Sequence, residues 1–186
     1  MRQIKIILFV AIITALTSGC RTKTDTDSKQ EILFQMEYRS YSPTLNHRGY
    51  IIDGDGNVLV YNNPDTWYYP DKDLRIAAGL VGQDIAECHS SGIKISKEEL
   101  SKYSSLINNL AESKVSAVKT LPEETGTTQY ICYEYIENSG IYQGTVIKME
   151  GDIRCENLNF FTKKVVDWMK DIHDSLADLN TEHPAS

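Results

Sequence analysis

Twice along this chain, stretches with an apolar side chain at every second position give way to one where they recur every third or fourth, and that repeated change of period most narrows the possible fold. Phe34, Met36 and Tyr38 alternate with Gln35, Glu37 and Arg39, the pattern of a half-buried strand. Residues 49–52 and 58–61 flank Asp53-Gly54-Asp55-Gly56-Asn57, whose glycines suit a tight or bulged turn, so a hairpin is expected there. Leu100, Tyr103, Ile107 and Leu110 then follow helical spacing behind a Ser96/Glu99 capping box, predicting one helix over 97–112. The second cycle has tyrosine-rich strands over 128–136 and 141–149 around Asn138-Ser139-Gly140. After it comes a helix capped by Asn157 or Asn159, with Phe161, Val165, Trp168, Ile172 and Leu176 along its inner stripe. This order predicts an α+β fold: an antiparallel sheet of about five strands in two hairpin groups, with two amphipathic helices packed on one face. No repeat of matching spacing is present.

The N-terminus follows a different logic. Arg2 and Lys5 precede eleven residues of mostly apolar character, 6–16, which span roughly half of a ~30 Å hydrocarbon core, too short for a permanent crossing. Leu16-Thr17-Ser18-Gly19-Cys20 follows. This run resembles the lipobox of bacterial lipoproteins, with Thr17 where leucine is usual. The resemblance covers the first twenty residues and implies cleavage before Cys20, a diacylglyceryl group on its sulfur, and a place in the bacterial cell envelope, facing periplasm or exterior. The domain plan expected is a signal peptide over 1–19, a flexible polar tether over 20–31, a single globular domain over 32–180 and a tail over 181–186. Processing would leave 167 residues and take the formal charge from −7 to −9, which argues against nucleic acid as a partner. Between 62 and 92, Asn63-Pro64, Tyr69-Pro70 and several glycines predict an irregular surface connector with at most a short helix over 83–88.

Candidate chemistry is sparse. Asp53, Asp55 and Asn57 open like a calcium loop, but Val58 stands where glycine is needed and Pro64 where the closing glutamate is needed, so a plain turn is expected. His47, His89, His173 and His183 show no metal-binding spacing, and no phosphate-binding loop or serine elbow occurs, so neither metal nor cofactor is expected. Three cysteines follow the anchor. Cys132 lies inside a strand, with Val146 as its expected cross-strand neighbour, which leaves Cys88 with Cys155 as the first choice of disulfide in an oxidising compartment. Cys88 with His47 or His89 forms a rival, catalytic reading as a thiol hydrolase or transferase. Trp67-Tyr68-Tyr69 in a proline-bounded loop suggests a binding surface, or else Trp67 and one tyrosine plug the end of the core. The leading expectation is a lipid-anchored, non-catalytic binding domain for an unknown envelope protein or glycan, with inhibitor or immunity proteins as one form of it. A structural envelope spacer is the remaining alternative.

Overall fold

A computed structural model describes residues 30–41, 43–121 and 126–182; the signal segment, Cys20 and residues 21–29 of the tether lie outside the described residues. Three strands open the domain: β1 (Phe34–Ser40), β2 (Asn46–Ile52) and β3 (Asn57–Asn62). The turn between β2 and β3 forms because Gly56 takes φ +80° and the Asp53 carboxylate accepts hydrogen bonds from the backbone of Asp55 and Asn57 and from the Asn57 amide. That carboxylate is spent on the turn.

The connector is more ordered than its composition predicts. It carries β4 (Arg75–Ala77), α1 (Ala78–Ala86) and, from its end, β5 (His89–Lys94). The helix thus lies about five residues earlier than 83–88 at its start, because Val81 and Ile85 give it an apolar face despite Gly79 and Gly82. The expected helix over 97–112 is two segments, α2 (Lys97–Ser104) and α3 (Ile107–Ala111). A tightened turn separates them where Leu106 N–H bonds Tyr103 O, yet Leu100, Tyr103, Ile107 and Leu110 are all buried. Ser96 accepts the Glu99 N–H as predicted, but the Glu99 carboxylate turns to the Trp168 indole N–H at 2.8 Å.

After a two-residue β6 (Lys119–Thr120) come β7 (Thr127–Ile136), β8 (Ile141–Gly151), β9 (Ile153–Glu156) and α4 (Thr162–Glu182). Residues 181 and 182 are therefore helical where a tail was expected; 183–186 lie outside the described residues. Order also reaches back into the expected tether, since Gln30 bonds Tyr133 O and Glu31 N–H bonds the Tyr142 hydroxyl.

Among the described residues nine strands run β5-β3-β2-β1-β7-β8-β9-β6, with β4 paired to β8, and all these pairings are antiparallel. The α+β class is as expected, but five strands and two helices understate it. Both faces of the sheet are covered. Phe34, Met36, Tyr50, Ile52, Cys132 and Ile147 meet α2, α3 and α4 on one face, with Trp168 edge-on to Phe34 and stacked on Tyr103 at 4.0 Å. On the other, Ile51, Tyr61, Ile131, Tyr133 and Tyr142 meet α1 and the loop that carries Trp67 and Tyr68. The one-sided layer read from the sequence is a three-layer arrangement.

Candidate functional site

β1 lies between β2 and β7, so its alternation sorts side chains between two covered faces and not between core and water. Gln35 and Glu37, on the face opposite Phe34 and Met36, are each only 5 % exposed. Such burial requires partners. Gln35 has them in a chain: Tyr133 donates its hydroxyl proton to Gln35 Oε1 at 2.8 Å, and Gln35 Nε2 donates to the Tyr61 hydroxyl at 3.1 Å. Burial pushes the phenols of Tyr61 and Tyr133 well above their usual range, so both act as neutral hydrogen-bonding groups.

Two positions along, Glu37 is the centre of a charged cluster. Arg39, on the same strand, donates from Nε to Glu37 Oε1 at 2.7 Å and also contacts it through Nη2. His47, opposite Arg39 on β2, places Nε2 3.3 Å from the same oxygen without a well-aligned hydrogen bond. Burial raises the Glu37 carboxyl, but the His47 contact and the Arg39 charge outweigh it and hold it below the ordinary carboxylate range. Glu37 is thus a buried, ionised acceptor.

The loop after β3 closes over this cluster because both of its ends are fastened. Asn63, at φ +47°, donates its N–H to His47 O and accepts the His47 N–H on its side chain. At the far end the Asp71 carboxylate accepts the backbone N–H groups of Asp73 and Arg75, returning the chain to β4. Between them Trp67 packs at a tilt against Tyr61, ring centroids 4.2 Å apart, and meets the His47 ring edge-on at 5.1 Å. Tyr68 donates its backbone N–H to Asp84 of α1 at 2.8 Å. Tyr69, 44 % exposed, sets its hydroxyl 3.4 Å from His47 Nδ1 and its ring 4.1 Å beneath the Arg39 guanidinium. Of the predicted binding aromatics, Trp67 and Tyr68 are therefore partly buried cover, and Tyr69 is the one that reaches solvent. Asp84 is 4 % exposed, and burial raises its carboxyl to about 6 against the opposing Tyr68 hydrogen bond.

Beside the cluster, at the C-terminal end of β1, lies an open cavity of about 440 Å³. Glu37, Arg39, Tyr41, Gln129, Met149 and Asp152 line it. Gly126 lets the cavity wall approach β1: with φ +83°, it has no room for a Cβ, which would lie 2.8 Å from Arg39 O. The cavity thus joins a carboxylate and guanidinium held in fixed positions to an apolar thioether and an exposed tyrosine, a combination suited to binding. His47 is 2 % exposed and sealed by Trp67 and Tyr69, so proton transfer to a bound molecule has no direct path to it.

The cysteines do not form the predicted chemistry. Cys88, Cys132 and Cys155 are all free thiols. Cys88 immediately precedes β5 and Cys155 lies in β9, with β3, β2, β1, β7 and β8 between those strands in the sheet order, so strand spacing alone opposes the expected bridge. Cys132 faces the helices opposite Thr145, one residue from the expected Val146, because Ile136 pairs with Ile141 and residues 137–140 form the turn that sets the register. Burial raises the Cys88 thiol to about 12, and its Sγ contacts Asp84 O at 3.3 Å, while His89 is exposed on β5. Those are features of an inert thiol. Among the described residues no cluster of three or more His, Cys, Asp or Glu side chains could hold a metal ion, and no helix is long and apolar enough to cross a membrane.

Sequence reasoning named His47 and Tyr69 but assigned Glu37 and Arg39 to a solvent face and overlooked Asp84. The available signal was three polar side chains at alternate positions on a strand followed by an aromatic-rich loop able to cover them. No protein-family model, curated protein or solved structure matches the chain.

Proposed function

We propose that this chain is a lipid-anchored, non-catalytic binding domain of the bacterial envelope, and that the cavity beside Glu37 and Arg39 receives a protruding group of a partner protein. The lipobox-like run ending at Cys20 supports the anchor. The observation that carries the binding reading is the Glu37–Arg39 ion pair at the wall of an open cavity, backed by His47 and Tyr69, where apolar packing would otherwise serve. Tyr41, 72 % exposed at the rim, and Tyr69 supply the aromatic surface typical of interface anchors. Anchoring raises the local concentration near other envelope molecules, so modest affinity suffices.

A photo-crosslinking side chain placed at Tyr41 on intact cells tests this. Capture of a defined protein from Tyr41, lost on Arg39→Ala and absent from a probe at Ser101 on α2, is the expected result. An identical pattern from both probe positions, or none from either, overturns the reading and favours the spacer alternative.

A further inference from the structure

A second surface lies along the ribbon that starts at Asp152 and Ile153 of the cavity wall and runs on to the start of the last helix. Residues 114–121 are zipped onto 152–158 by Leu158 N–H to Lys114 O, the Val115/Asn157 bridge, Ser116 N–H to Glu156 O, and the β6/β9 pairing of Lys119 with Arg154. Alternation in this ribbon places Lys114, Leu158, Glu156, Arg154 and Lys119 on one face, while Asn157 turns inward to bond Leu110 O. Just beyond, the turn into α4 is built on Asn159, whose side chain accepts the Phe161 N–H, and it leaves Phe160 91 % exposed beside Leu158 at 66 %. A nearly bare phenylalanine next to a leucine has lost the stabilisation of burial without forming any core. Three basic residues and one acid share that face, in a chain with 19 basic and 26 acidic residues, so its local charge opposes the net charge.

We propose that Leu158 and Phe160, flanked by Lys114, Lys119 and Arg154, form a second membrane contact that dips into an anionic lipid surface. The inference rests on the lipid-anchor reading above. Extended, the ten-residue step from Cys20 to Gln30 spans at most about 35 Å, which keeps the domain within reach of the bilayer. An aromatic and a leucine can enter the headgroup boundary while basic residues meet anionic lipid, each basic group contributing weakly. The acyl chain supplies affinity, and this contact supplies orientation: the ribbon turns towards the membrane.

The test uses the full chain as its cells process it, extracted in detergent and mixed with vesicles of phosphatidylcholine with or without phosphatidylglycerol. Phe160→Trp, at a position 91 % exposed where an aromatic ring still meets Phe161, is expected to keep the fold and places an indole at the proposed depth. Lipids brominated in their acyl chains are expected to quench the added emission roughly twofold or more, most strongly with phosphatidylglycerol present, and Leu158→Ser is expected to weaken that quenching. Vesicle flotation reads the anchor separately. Flotation without quenching leaves the anchor standing and overturns the second contact; loss of flotation shows that the anchor reading has failed. A blue shift that grows with protein concentration without vesicles also overturns the proposal, because the patch would then bind a second copy of the chain.

Discussion

The two faces of the sheet solve the same burial problem with opposite chemistry. Under α2, α3 and α4 lie Phe34, Tyr50, Ile52 and Ile147, which pack against Met169 of α4, all fully buried and nearly all apolar. Tyr50 meets its one polar obligation by donating to Met169 O at 2.6 Å. Under α1 and the 64–71 loop the sheet buries Gln35, Glu37 and His47. Apolar residues of similar size would pack there with no desolvation cost. A face that retains such groups, and ends in a cavity, is the one on which the proposed recognition rests.

The largest expected effect lies on the helix face. Phe34→Ala removes a ring packed against Trp168 and is expected to cost about 3–5 kcal/mol in urea denaturation. A loss under about 1 kcal/mol would mean that the helix layer is not the main source of stability.

Next comes the charged cluster. Glu37→Gln leaves His47 and Arg39 facing a neutral amide and is expected to cost about 2 kcal/mol, less than a fully buried pair because Arg39 reaches water. Replacing both Glu37→Met and His47→Phe is expected to restore most of that stability while abolishing crosslinking from Tyr41. Full binding by the restored double variant would separate the cluster from recognition.

Acidity distinguishes the faces more finely. The folded Asp84 carboxyl is raised from 3.8 to about 6, so its contribution is present below pH 4 and lost as pH rises towards 6 and beyond. Glu37 has the opposite sign: its depressed carboxyl stabilises above its unfolded value, and that contribution is lost as pH falls through its folded value. Asp84→Asn is expected to flatten the pH 4–6 slope by about 1–2 kcal/mol while keeping an acceptor for Tyr68 N–H. An unchanged slope in thermal melts would remove Asp84 as its source.

The same contrast explains what could be read before the structure. Elements whose polar side meets water announced themselves: the α4 stripe of Val165, Trp168 and Ile172, the Ser96 cap, and both hairpins. Alternation on β1 was visible, but period alone does not say whether the polar side is solvated or covered. The cover itself was hidden because β4 and β6 span three and two residues, β5 is largely polar, and α1 carries two glycines. Bringing His47, Tyr69 and Asp84 to Glu37 needs the loop closure as well as the strand register, and no local pattern encodes that.

Smallest is the effect at Tyr69, where ring and hydroxyl have different duties. The hydroxyl lies 3.4 Å from His47 Nδ1, too long for a strong bond, so Tyr69→Phe is expected to cost no more than about 0.5 kcal/mol. The ring lies under the Arg39 guanidinium and helps fix it at the cavity wall, so Tyr69→Ala is expected to cost about 1 kcal/mol and to weaken crosslinking from Tyr41. Equal losses from the two substitutions would show that the hydroxyl contact, and not the stacked guanidinium, connects this loop to the cluster.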